Sequence, residues 1–179
     1  MGAAFHWIYC LDIPDAIFLA ALAAVCFRLL GHHFRTRRWW KRLLAAGLLL
    51  WLAAVLYQTL GTREPGTDQS FLLPLASYRE VLSGGRKELL RSNFMNGLLF
   101  FPAGLLGWEL LPEHTRPLKK IACIAAAALI LSLSIEMIQY IRMLGLAESD
   151  DVIHNALGAA LAAAVCCIPH KRSDDHDPD

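Results

Sequence analysis

Polar side chains interrupt three long apolar stretches of this chain, and their types suit chemistry inside a membrane. They are, in chain order, Asn96, Glu136, Gln139, Asp151 and Asn155. Positions three or four apart share one face of an α-helix, so each stretch presents its polar groups on a single side. Carboxylates can act as general acids or bases, and amides can orient a polar ligand. We take these five as candidate ligand-binding residues, with Glu136 and Asp151 as candidate catalytic residues.

The same residues also fit a purely structural role. Asn, Ser and Gln often join membrane helices by hydrogen bonds worth about 0.6 kcal/mol each. Asp150 and Asp151 together could cap the helix that they open, where the helix dipole favours negative charge. Glu136 is the hardest to explain in this way, because a carboxylate at the bilayer centre costs on the order of 2.5 to 3.5 kcal/mol. Its candidate partners are basic residues of the long connection 61–92: Arg79, Arg86 and Arg91, of which Arg79 and Arg91 are also candidate ligand-binding residues.

The elements that must position these residues are transmembrane helices. Of the 179 residues, 56% are hydrophobic and 18% are charged, and no stretch alternates with period two, which favours helices over barrel strands. A helix needs about 20 residues to cross ~30 Å of hydrocarbon. Five runs approach that length: 14–30, 43–60, 94–111, 121–141 and 152–168. The sequence therefore predicts an all-α, polytopic membrane helical bundle, with residues 1–169 forming a single membrane domain.

Basic residues are segregated along the chain, and this segregation predicts an orientation. They cluster within 35–42, 116–120 and 171–172, three regions that alternate correctly to share one side. The positive-inside rule makes that side cytoplasmic, with the N-terminus outside and the C-terminus inside. The long connection 61–92 also carries basic residues, on the predicted outer side. We expect residues 170–179 to form a disordered cytoplasmic tail.

Metal, cofactor and nucleic-acid signatures are all weak. The five cysteines fall in no CxxC spacing, and four of them lie inside apolar runs. Asp150 and Asp151 are adjacent, so their side chains point apart on a helix and do not form a cation site. The net charge of +1 hides a segregation that reports topology, not a basic surface for nucleic acid. We expect no metal, no cofactor and no nucleic-acid partner.

Three short segments carry a family resemblance: Asn96–Gly104 (NGLLFFPAG), Ser134–Gln139 (SIEMIQ) and Asp150–Gly158 (DDVIHNALG). In their order and spacing they resemble the VanZ-like family of bacterial integral membrane proteins, and the resemblance covers about residues 74–168. The chain departs from the family pattern at Gly145, near which members often carry an arginine, while the acidic residue is present as Glu148. Arg142 lies one turn away as a substitute.

The resemblance implies a small helical bundle in the bacterial cytoplasmic membrane, linked to low-level resistance to the glycopeptide teicoplanin. One function it suggests is binding of a membrane lipid, a lipid-linked envelope precursor or the lipoglycopeptide itself at an outward-facing polar site. The alternative is an intramembrane enzyme that modifies a lipid headgroup, with Glu136 or Asp151 as acid or base and Arg79 or Arg91 holding a phosphate. A third class is a helix-packing partner without a small-molecule site. The oligomeric state stays open.

Overall fold

The computed structural model describes residues 23, 26–27, 30, 34, 38–66, 71–72, 74–84, 88–145 and 147–167. The predicted first span lies largely outside the described residues, and the predicted tail lies wholly outside them. The helices are α1 (Arg38–Leu56), which continues as a π-helical turn (Tyr57–Gly61), α2 (Ala76–Gly84), α3 (Glu88–Leu110), α4 (Pro117–Arg142) and α5 (Ser149–Cys167). This architecture confirms the all-α prediction.

Three of the described helices are long and apolar enough to cross a membrane: Trp39–Gly61, Pro117–Arg142 and Ser149–Cys167. They correspond to the predicted spans 43–60, 121–141 and 152–168, and each begins earlier than predicted. The predicted span 94–111 is covered by α3, a helix of 23 residues that is not among these three. Its hydropathy is lowered by Asn93, Asn96 and Glu109. The chain is an integral membrane protein.

The connection between the second and third predicted spans contains more structure than the sequence predicts. Its first strand, β1 (Phe71–Leu72), pairs in parallel with β2 (Ala147–Glu148), which directly precedes α5. The nine-residue helix α2 follows β1. A helix this short is not stable by itself in water, so contacts with the rest of the bundle must hold it. Both elements lie at the end of the bundle where α4 ends and α5 begins.

The centre of the bundle is a close crossing of α3 and α5, permitted by small residues. A Cβ atom added to Gly158 would lie 1.9 Å from the Gly97 carbonyl oxygen, and one added to Gly104 would lie 2.2 Å from the Ala159 oxygen. The two backbones are therefore in direct contact. This agrees with the sequence pattern, because small residues at matching positions let membrane helices approach closely.

Aromatic residues and one buried lysine complete the packing around this crossing. The rings of Trp51 on α1 and Phe100 on α3 meet edge to face, with centroids 5.3 Å apart, and the Trp51 indole donates a hydrogen bond to the Leu99 carbonyl at 2.9 Å. At the α3–α4 turn, Lys120 Nζ donates to the Trp108 and Leu111 carbonyls, both at 3.3 Å. Lys120 thereby satisfies carbonyls that the end of α3 leaves without helical partners.

Candidate functional site

Asp150, at the start of α5, holds the N-terminus of α2. Its Oδ1 accepts a hydrogen bond from the Leu75 N–H at 2.5 Å, and its Oδ2 accepts one from the Ser77 N–H at 3.0 Å and another from the Ser77 hydroxyl. Asn93 on α3 donates to the same hydroxyl at 2.9 Å. Of the two capping candidates, Asp150 therefore caps a neighbouring helix, and in doing so it joins α2, α3 and α5.

A cluster of three carboxyl groups and one guanidinium group lies where α4 ends and α5 begins. We define the acidic cluster as Glu136, Glu148 and Asp151. Glu136 is buried, and its Oε2 accepts a hydrogen bond from the Glu148 N–H at 2.9 Å. Asp151 interacts electrostatically with both glutamates, and Arg63 interacts with all three carboxyl groups. Three carboxyl groups thus share the charge of one guanidinium group.

Arg63 is a site residue that the sequence analysis did not select. Its Nη1 donates a hydrogen bond to the Leu144 carbonyl at 3.2 Å. The same nitrogen lies 3.3 Å from where a Cβ of Gly145 would stand, and Gly145 has a φ of +99°. The guanidinium group therefore packs against the position near which family members often carry an arginine. Arg142, the substitute considered from the sequence, is exposed.

Three amide side chains surround the acidic cluster on the facing helices. Gln139, 2% exposed, donates from Nε2 to the Thr59 carbonyl at 2.9 Å. Because a carbonyl only accepts, this bond assigns the nitrogen, and Gln139 Oε1 is buried without a hydrogen-bond partner. Asn155 donates to Ser132 Oγ at 2.7 Å, and its Oδ1 is likewise buried and unpartnered. Asn96 interacts with the Asp151 carboxylate, although its Nδ2 makes no hydrogen bond of normal geometry.

A tyrosine–histidine pair joins α2 to α5 beside the Asp150 cap. His154 Nδ1 lies 2.5 Å from the Asp150 carbonyl oxygen, and Tyr78 OH lies 2.7 Å from His154 Nε2. The carbonyl can only accept, so in the neutral ring Nδ1–H donates to it and Nε2 accepts from the tyrosine hydroxyl. The two rings are stacked, with centroids 5.8 Å apart. His154 is therefore fixed in both position and tautomer.

Glu148, which lies between the spans α4 and α5, has a pKa that reports how the charges of the cluster act on one another. Burial raises the pKa of Glu148, the neighbouring Asp150 carboxylate raises it further, and Arg63 opposes both effects. Glu80 on α2 also raises this pKa, so α2 lies close enough to influence the cluster. Among the described residues, three carboxyl groups share the one nearby guanidinium group of Arg63, and this excess of acidic groups suits a positively charged ligand group.

The predicted site residues fall into two sets. Asp151 interacts with both Asn96 and Glu136, and Gln139 and Asn155 lie one helical turn from Glu136 and Asp151 on α4 and α5. Arg79 is exposed on α2, Arg91 lies on α3, and Arg86 lies outside the described residues; the described cation that acts on Glu136 is Arg63. Within the described part of the chain, no three His, Cys, Asp or Glu side chains are arranged to hold a metal ion.

Comparison with known proteins places this arrangement in a family. A family model described as VanZ/LLP1 matches residues 43–170, which is more than two thirds of the chain and includes every residue of the acidic cluster. No curated protein and no solved structure matches the chain. The matched range agrees with the three segments that carry the resemblance in the sequence and extends it to include α1. The chain belongs to the VanZ/LLP1 family of proteins.

Proposed function

We propose that this VanZ-family membrane protein binds a membrane lipid or a lipid-linked envelope precursor at the acidic cluster. The observation that carries the proposal is the burial of carboxylate and amide acceptors without enough donors. Gln139 Oε1 and Asn155 Oδ1 have no hydrogen-bond partner, and they lie one turn from Glu136 and Asp151 respectively. Buried polar groups without partners are costly, and these two flank Glu136, because Asn155 bonds to Ser132 one turn before it and Gln139 lies one turn after it. A ligand that supplies the missing donors explains their retention.

The balance of donors and acceptors favours a ligand that carries an amine. Ionised carboxylates only accept hydrogen bonds, and two of the three unpartnered amide atoms, Gln139 Oε1 and Asn155 Oδ1, are oxygens; the third, Asn96 Nδ2, belongs to the amide that interacts with Asp151. An ammonium group provides three donors and a positive charge, which the excess of carboxylates would stabilise. Arg63 is available beside these groups to contact a phosphate. A headgroup that combines an amine with a phosphate, as in an aminophospholipid, matches both parts of the site.

The proposal places the site at the outer face of the bacterial cytoplasmic membrane, with the N-terminus outside and the C-terminus inside. Its support is the distribution of charge along α4. Arg116, Lys119 and Lys120 lie at the start of this helix, and Glu136 lies near its end. If the basic end faces the cytoplasm, the acidic cluster faces outward. Tolerance of teicoplanin would follow from the site engaging envelope precursors or the drug's lipid tail.

Retention of defined lipids tests the binding proposal directly. The full chain is purified in detergent micelles, exposed to phosphatidylethanolamine or phosphatidylglycerol, and examined by native mass spectrometry. We expect preferential retention of phosphatidylethanolamine, and we expect Glu136→Gln to weaken it about tenfold, which corresponds to ~1.4 kcal/mol. Ser134→Ala is the matched control on α4, because the Ser134 hydroxyl is exposed and bonds only to its own helix.

Two results would contradict the proposal. Equal retention of both lipids, or equal retention by the wild type and Glu136→Gln, would show that the acidic cluster does not select the ligand. The antibiotic part is tested separately, by expressing the chain in a susceptible Gram-positive host and measuring teicoplanin tolerance. Unchanged teicoplanin tolerance would refute the proposed antibiotic role and would not affect the lipid-binding proposal.

A catalytic function is the second candidate, and the pairing of carboxyl groups favours it. Glu136 and Asp151 interact electrostatically and share the nearby cation Arg63, which is an arrangement suited to acid–base chemistry on a phosphorylated headgroup. Incubating the protein with labelled phospholipid and following the products by lipid mass spectrometry separates the two functions. Catalysis requires a modified headgroup that appears with the wild type and disappears with Glu136→Gln. Binding alone yields no product.

A further inference from the structure

The short helix α2 exposes large apolar side chains that a helix on the surface of a soluble protein would turn inward. Its outward side presents Tyr78 and Leu82, and Leu82 is 88% exposed; Leu75, just before the helix, is 55% exposed. The side that faces the bundle carries the buried Ser77, the half-buried Val81 and Glu80, which interacts electrostatically with Glu148. An amphipathic helix in contact with water turns its apolar side inward instead.

The rotation of α2 about its axis is set by its contacts, so this outward apolar face is a fixed feature. Asp150 accepts hydrogen bonds from the Ser77 N–H and from its hydroxyl, and Tyr78 is bonded and stacked against His154. Turning Leu82 toward the bundle would break each of these contacts. The short chain between Leu75 and Ser77 is also tied at both ends by the same carboxylate.

The outward face of α2 continues the lipid-facing surface of α5. Ile153, Leu157 and Leu161 follow one another at helical spacing on that span, and all three are exposed. On a membrane span, exposed apolar side chains lie against lipid. Tyr78 stacks on His154, the neighbour of Ile153, so α2 lies beside the exposed apolar side chains of α5. Arg79, exposed on α2, adds a charge suited to lipid phosphates.

We propose that α2 is embedded at the membrane interface, with Leu82 and Tyr78 among the acyl chains and Arg79 at the phosphate level. The occupant of its outward face is the phospholipid of the surrounding leaflet. This inference does not depend on the ligand of the acidic cluster.

Photocrosslinking identifies what covers the outward face. A photoreactive side chain is introduced as Leu82→p-benzoylphenylalanine in the full chain, which is reconstituted in vesicles of phosphatidylethanolamine and phosphatidylglycerol and irradiated. We expect phospholipid adducts by intact mass spectrometry, several-fold more abundant than for Glu113→p-benzoylphenylalanine in the exposed α3–α4 turn. Equal adduct yields at the two positions, or adducts at position 82 only to a second copy of the chain, would overturn the proposal.

A charge substitution gives an independent measurement. Because Leu82 is 88% exposed, Leu82→Asp removes almost no protein contact, and a face in water would tolerate it. A face in lipid would not, so we expect a lower midpoint of thermal unfolding in lipid nanodiscs. Ser83→Asp is the matched control, since Ser83 is exposed and lies on the side of α2 that carries Arg79. Equal midpoints for the two variants would place the outward face in water and refute the proposal.

Discussion

Replacing Gly158 with alanine should force α3 and α5 apart. The added Cβ would lie 1.9 Å from the Gly97 carbonyl oxygen and 2.7 Å from the Gly97 Cα, whereas ordinary contact begins near 3.4 Å. The obstructing atoms are backbone, so no side chain can rotate away, and the two helices must separate by roughly 1.5 Å or distort. Overpacking of this kind typically costs about 1–3 kcal/mol.

The assay is the midpoint of thermal unfolding in lipid nanodiscs. For a chain of this length, each kcal/mol shifts the midpoint by roughly 2–4 °C, so Gly158→Ala should lower it by roughly 2–12 °C. The matched control is Gly47→Ala on α1, where a Cβ would meet only Leu106 side-chain atoms, at 3.8 Å and beyond. It should leave the midpoint almost unchanged. If the two variants unfold at the same temperature, the close crossing of α3 and α5 does not stabilise the bundle and our account of the core is wrong.

Three further predictions concern the polar contacts. Asp150→Ala leaves two buried or half-buried N–H groups at the start of α2 without partners and should cost about 1–3 kcal/mol, seen as faster amide hydrogen exchange in α2 than in α4. Lys120→Met leaves the Trp108 carbonyl without its donor, so it should lower the midpoint of thermal unfolding. Amide hydrogen exchange in α2 should stay unchanged, because α2 lies at the opposite end of the bundle; faster exchange there would contradict this prediction. At pH values above the ordinary pKa of glutamate, Glu148→Gln should stabilise the protein, because the raised pKa of Glu148 means that the fold disfavours its charged form. The gain should grow as pH rises and vanish below about pH 4, where both side chains are neutral; a gain that is largest in acid would show that the pKa is lowered instead.

The sequence predicts the fold class and most of the helix positions because hydrophobic length alone decides which segments can enter a membrane. Helical spacing also predicts that each apolar stretch presents its polar groups on one side, and in the structure these sides meet: Asn155 bonds to Ser132, and Gly97 lies against Gly158. Periodicity does not predict α2, since nine residues with a mixed pattern resemble any polar connection. Its stability comes from Asp150, more than 60 positions away in the chain.

Arg63 shows a second limit of sequence reasoning. It belongs to the connection whose basic residues oppose the positive-inside rule, which is a signal that the segment contacts something negative. No spacing rule relates it to Glu136, because their approach depends on how the segment after the π-helical turn folds back. That fold is fixed by backbone contacts, such as the bond from the Gly66 N–H to the Met143 carbonyl at 2.7 Å. Only a three-dimensional arrangement distinguishes Arg63 from Arg79 and Arg91.

The polar residues at this end of the bundle divide according to whether their hydrogen bonds are satisfied. Ser77, Asn93 and Asp150 form a closed network that joins three helices, which is what interhelical hydrogen bonding alone requires. The groups around Glu136 do not form such a network: one guanidinium group serves three carboxyl groups, and Gln139 Oε1 has no donor. Gln139 Nε2 has a packing role, because an apolar residue at this position would leave the Thr59 carbonyl without its donor, but Gln139 Oε1 has no such role. The surplus of acceptors is therefore the feature on which we base the proposed ligand site, as distinct from interhelical packing.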